Sequence, residues 1–101
     1  MLYDSTKVLL RGILVSLENT GRVRWEDTFE LAGECSYEIH QMARPAYRGY
    51  RTDAVSKAVV LVPVFDRAAR ARPHVKSMVR AIRRKDQAAA VVSGRAALAE
   101  M

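Results

Sequence analysis

The sequence predicts an all-α chain, a small helical domain of four to five helices that pairs as a homodimer and carries a long basic C-terminal helix. Three observations lead there. Apolar residues recur at three- and four-residue spacings along most of the 101 residues, which is the period of a helix with one buried face. Gly, Pro and Asn cluster at the breaks between those segments. Half of the residues are hydrophobic but only 7% are aromatic, a composition suited to close helix packing around a thin Ala-Val core. A thin core is commonly completed by a second subunit, hence the expected dimer. The length is that of one domain, residues 1–101.

The first helix is predicted from the spacing of Leu10, Ile13, Leu14 and Leu17. Asp4 or Ser5 is expected to cap it, and Asn19-Thr20-Gly21 to stop it with the glycine in the left-handed conformation. Val8 and Leu9 widen its apolar stripe beyond what one neighbour covers.

A second helix is predicted from about Trp25 to Ala43. Trp25, Phe29, Ala32, Cys35 or Ser36, Ile39 and Ala43 are expected on its buried side, and Pro45 ends it. Glu26 and Asp27 suit the positive end of its dipole. Glu26, Glu30, Glu34 and Glu38 recur every four residues, so this helix has an acidic face.

Pro45 and Gly49 make Arg44 to Arg51 a loop, after which Thr52 reads as an N-cap. A third helix would carry Ala54, Val55, Ala58, Val59, Leu61 and Val62, with Pro63 kinking it or opening a new turn. The β-branched run from Val59 to Phe65 reads equally as a buried strand, although no partner strand is evident. Pro73 is expected to open the last long helix, whose inner side carries Val75, Met78, Val79 and Ile82. Residues 88–101 are predicted as an Ala-rich helical tail, weakened by Gly94 and prone to fray.

Charge is distributed unevenly. Residues 1–66 carry eight Lys or Arg against nine Asp or Glu, whereas residues 67–101 carry nine against two. That asymmetry suits an acidic partner: nucleic acid, an anionic membrane or an acidic protein face. Helical spacing gathers Lys76, Arg80, Arg83 and Arg84 onto one face, which is the candidate nucleic-acid surface, with Arg67, Arg70 and Arg72 extending it. Two ordinary alternatives compete with it. The stripe is a solvated helix face, or it pairs with the Glu26, Glu30, Glu34 and Glu38 ladder within a subunit or across a dimer.

The candidate protein-binding surface is the loop. Arg44, Tyr47, Arg48, Tyr50 and Arg51 place two amphipathic rings among three forked cations, the residue types enriched at binding hot spots. Single-stranded nucleic acid is held by the same kinds of side chain. The alternative is that the tyrosines cover the core.

Catalytic signals are few. Cys35 sits at an apolar helical position, where a thiol is usually inert, and His40 falls elsewhere on the helix. His74 has no Asp or Cys at ligand spacing, and there is neither a Gly-rich phosphate loop nor a helix-turn-helix pattern around Gly33. The expectation is a protein with no catalytic residues, no metal and no cofactor. With one cysteine and no long apolar run, it reads as cytoplasmic and not membrane-bound. The function expected is that of a small non-enzymatic regulator that binds and modulates or inhibits a larger protein, for example a transcription regulator. The second reading is a nucleic-acid-binding protein that uses the basic helix.

Overall fold

In a computed structural model of the chain, the backbone is described for residues 2–19, 21–43 and 55–101, and side chains for 3–19, 21–43 and 66–101. These residues form four helices, α1 (Leu2–Glu18), α2 (Trp25–Met42), α3 (Val55–Arg83) and α4 (Gln87–Glu100). Both α2 and α4 pack against α1 and against α3. Contacts between helix ends give the directions. Thr6 early in α1 donates to Glu38 late in α2, Trp25 and Phe29 of α2 line a depression with Ile82 and Arg83 of α3, and Gln87 at the start of α4 reaches the Leu17 carbonyl at the end of α1. Sequential neighbours are therefore antiparallel, as in an up-and-down four-helix bundle.

Each helix supplies a stripe at helical period. Leu10, Ile13, Leu14 and Leu17 of α1 are buried as their spacing predicts. They meet Ala32, Cys35, Ile39 and Met42 of α2, Ala68, Ala71, Val75, Met78, Ala81 and Ile82 of α3, and Ala90 and Ala97 of α4. The α2 stripe starts at Thr28, and Phe29 is 42% exposed. The expected inner position of Phe29 is thus corrected by one residue, about 100° of helix rotation. Positions 28, 32, 35, 39 and 42 keep the period better than a stripe drawn through the larger side chain at 29.

Helix α1 already begins at Leu2, so Asp4 lies in its first turn and neither Asp4 nor Ser5 is the cap. At its other end, no described glycine has a positive φ. The turn is closed by Asn19, whose Oδ1 accepts from the Gly21 amide at 3.1 Å.

The largest departure is in α3. Residues 55–83 are one helix that includes both Pro63 and Pro73, so the stretch 59–65 is helical and Pro73 does not open a new helix. Proline costs a helix interior about 3 kcal/mol. Pro73 is exposed, as is Ala69, whose carbonyl loses its amide partner, so water can serve that carbonyl. The apolar stripe from Ala68 to Ile82 continues past the proline and holds the helix against its neighbours.

A Schellman turn ends α3. The Lys85 amide donates to Ile82 O (2.9 Å) and the Asp86 amide to Ala81 O (2.8 Å), with Lys85 at φ 58°. Asp86 then caps α4, its Oδ1 accepting from Ala89 N at 3.1 Å. The Ala-rich segment expected to fray is this packed helix. Its small side chains allow a close approach, and a Cβ built on Gly94 would stand 2.7 Å from Leu14 Cδ2 and 3.1 Å from Met78 Sδ. Ion pairs tie its flanks, Arg95 to Glu18 and Arg70 to Glu100, both at 2.9 Å. Tyr3 Oη and Lys7 Nζ both donate to the Met101 main-chain oxygen. The basic stripe therefore does not belong to the C-terminal helix, which carries only Arg95 and Glu100 as charged residues.

Candidate functional site

The α3 stripe is built by helix geometry alone. Lys76, Arg80 and Arg83 fall within about 60° of one another around the helix axis, and all three are exposed. Arg84 follows in the turn, 61% exposed, with Asp86 at 3.8 Å as its ion-pair partner. Arg67 is exposed, Arg70 is occupied by Glu100, and Arg72 is half-buried, its Nε enclosed with no hydrogen-bond partner among the described residues. Only part of the extended basic track is therefore free.

The acidic ladder stands on the next helix. Glu26, Glu30 and Glu34 are exposed, while Glu38 is half-buried and accepts from Thr6 Oγ1 at 2.6 Å. Among the described residues, no ion pair joins this ladder to the α3 stripe. Glu26 and Arg83 line one depression of about 180 Å³ with Trp25, Phe29, Ile82 and Lys85, yet do not close to a bond. Within one chain, the positive and negative rows lie side by side and both face outward.

Exposed apolar side chains accompany them. Phe29 and Tyr37 (64% exposed) are two turns apart on α2, with Gly33 between them and open space above its Cα. The sequence reading missed Phe29 as a surface residue because its bulk outweighed the register. On α1, Val8 and Val15 are 65% and 70% exposed with Gly12 between them, so of the two residues that widen its stripe Val8 is open, while Leu9 packs partly buried against the core. Two further depressions lie around the α1–α2 connection. One, about 310 Å³, is lined by residues including Ser16, Arg22 and Thr28, and the other, about 550 Å³, by residues including Arg22, Trp25 and Asp27.

Cys35 is fully buried, and its thiol is pushed up to about 12 by desolvation, with the Glu38 and Glu34 carboxylates adding to the rise. At neutral pH it is a neutral packing group and not a nucleophile. His40 is exposed and His74 half-buried. Among the described residues no three His, Cys, Asp or Glu side chains are grouped to hold a metal, and no helix is long and apolar enough to cross a membrane. The loop candidates Arg44, Tyr47, Arg48, Tyr50 and Arg51 lie outside the described residues. No protein-family model, curated protein or solved structure matches the chain.

Proposed function

We propose that this chain is a small non-enzymatic regulator, cytoplasmic, that docks on a larger protein and modulates or inhibits it, a transcription regulator being one such target. The outer face of α1 carries this reading. Val8, Gly12 and Val15 fall at i, i+4 and i+7 and are exposed to solvent, with Arg11 exposed at their edge. Isolated surface valines are ordinary, but two on one turn-aligned strip with a glycine between them offer a partner helix a close approach. The loop from Arg44 to Arg51 is the proposed second contact, its Tyr47 and Tyr50 acting as anchors.

The test is affinity capture from host lysate with the wild type, with Val8→Arg/Val15→Arg and with Tyr47→Ala/Tyr50→Ala, each shown to keep its helical circular dichroism. One dominant protein held by the wild type and lost from both variants supports the reading. Recovery of no protein, or of nucleic acid alone, would refute it.

A second reading is favoured by one observation, that Lys76, Arg80 and Arg83 are exposed and not neutralised by the acidic ladder among the described residues. Nucleic-acid binding through these residues would weaken linearly in log affinity with log salt. Three phosphate contacts give a slope of about −2 to −3, read from binding to mixed-sequence single strands and duplexes over a salt series. No association at low salt removes it.

A further inference from the structure

The face shared by α2 and α3 is divided lengthwise. One half is cationic, from Lys76, Arg80 and Arg83 of α3, and the other carries Glu26 and Glu30 beside Phe29 and Tyr37 of α2. We propose that its occupant is a second copy of this chain, joined by a two-fold axis parallel to the helices, so that each protomer's α2 lies on the other's α3.

Symmetry, register and charge select this occupant. A two-fold interface presents one patch to itself, so the patch must be self-complementary. An axis parallel to the helices carries the acidic half of one copy onto the basic half of the other. An axis across the helices, within the face, would oppose α2 to α2 and α3 to α3, like charge to like.

Register favours the same pairing. Glu26 and Arg83 line the same depression, so they stand at the same height along the bundle. Rotation about the long axis preserves height, and Glu26 then meets the second copy's Arg83. Because α2 and α3 run antiparallel, the next acidic step, Glu30, arrives opposite Arg80. Phe29, on the α3 side of the acidic row, falls over the stems of the opposing cations, where an aromatic face attracts a guanidinium. These surface charges have no ion pair across the two rows within the chain among the described residues.

Charge points the same way. A polyanion on the cationic row would lie alongside the exposed carboxylates Glu26, Glu30 and Glu34 and be repelled by them. A second copy puts those same carboxylates to use.

The face is about 27 Å long, from 1.5 Å per residue of α2, and roughly 20 Å wide, so a dimer buries on the order of 1,000 Å² in total. That lies at the lower end for specific interfaces, and a dissociation constant in the micromolar range is expected. The contact is independent of the α1 strip proposed for the regulated partner.

Sedimentation equilibrium of the full chain, with nucleic acid removed, tests this at about 0.05 M and about 1 M salt. The wild type is expected to dimerise at low salt and to weaken at least about tenfold at high salt, because exposed charge pairs are screened. Glu26→Lys/Glu30→Lys and Arg80→Glu/Arg83→Glu are each expected to be monomeric, since each homodimer would oppose like charges. Mixed one to one, the two variants restore both sets of contacts and are expected to form a heterodimer. That recovery also shows that both variants fold. A wild type that stays monomeric at high concentration, a variant that dimerises like the wild type, or a mixture that stays monomeric overturns the proposal. So does tight nucleic-acid binding by the wild type that Arg80→Glu/Arg83→Glu abolishes, which would assign the cationic row to a polyanion.

Discussion

Among the described residues three glycines lie inside helices, and their environments differ enough for one substitution to test the packing of α4. Glycine to alanine in a helix interior gains about 1 kcal/mol from backbone propensity. At Gly12 and Gly33 the added methyl meets nothing within 4 Å, so that gain is realised. At Gly94 the same methyl would sit 2.7 Å from Leu14 Cδ2, 3.1 Å from Met78 Sδ and 3.4 Å from Leu14 Cγ. Relaxed carbon contacts lie at about 3.5–4.0 Å, so Leu14 must move by roughly 1 Å. Leu14 is only 6% exposed and Met78 is fully buried, which leaves them little room to yield. Overpacking of this kind costs about 1–3 kcal/mol, which exceeds the propensity gain and leaves Gly94→Ala less stable by about 1 kcal/mol. A domain of this size shifts its Tm by about 4–8 °C per kcal/mol. Thermal unfolding followed by circular dichroism should therefore show Gly12→Ala and Gly33→Ala rising by that amount and Gly94→Ala falling by a similar one. The contrast between sites cancels any error in the propensity scale. Stabilisation by Gly94→Ala equal to that of Gly12→Ala would refute the close packing of α4 on α1 and α3.

Other sites offer independent tests. Lys85→Gly should stabilise by about 0.5–1 kcal/mol in urea unfolding, because Lys85 holds φ 58° where glycine carries no Cβ penalty. Asp86→Ala should cost about 1 kcal/mol by the same measurement through loss of the cap on Ala89 N, and Asp86→Asn should retain most of it. Cys35 makes stability pH-dependent on the alkaline side. Its folded pKa of about 12 lies above the ordinary 9.0, so the unfolded chain releases the thiol proton first and stability falls as pH rises from about 9 towards 12. Comparing the pH slopes of wild type and Cys35→Ala isolates that contribution, and equal slopes would contradict the burial. The folded protein should also resist thiol labelling at neutral pH, reacting only after denaturant is added.

Local features of the fold were legible in the chain where one physical rule acted alone. The α1 stripe is aliphatic and has a single register, so Leu10, Ile13, Leu14 and Leu17 could be placed without knowledge of their neighbours. On α2 two registers compete, because Trp25 and Phe29 suggest one stripe and Thr28, Ala32 and Cys35 another. Burial of the smaller residue follows from how close α1 and α3 come, which no local pattern contains. Pro73 lies within α3 instead of opening a helix for a similar reason. Its local cost ends a free helix, but the apolar stripe on either side of it outweighs that cost once it is packed. Gly21 does not take the left-handed conformation expected of it, whereas Lys85 does at the end of α3, since the Schellman bonds to Ala81 and Ile82 secure a turn whose residue type is unfavourable.

The same division runs through the candidate surfaces. By itself the sequence determined that the chain is helical, that Lys76, Arg80 and Arg83 share a face, and that Glu26, Glu30 and Glu34 lie along another, because residues three and four apart are neighbours on any α-helix. It also marked Cys35 as a packing position. Whether the two charged rows pair within the chain depends on the rotation and lateral placement of α2 against α3. Only the packing of the bundle sets those, through contacts between residues some fifty apart in the chain. Tertiary structure left the rows adjacent and outward-facing, moved Phe29 to the surface beside them, and turned the Ala-rich end into the helix that closes the bundle. Periodicity states which residues share a side of a helix, and packing decides what that side meets.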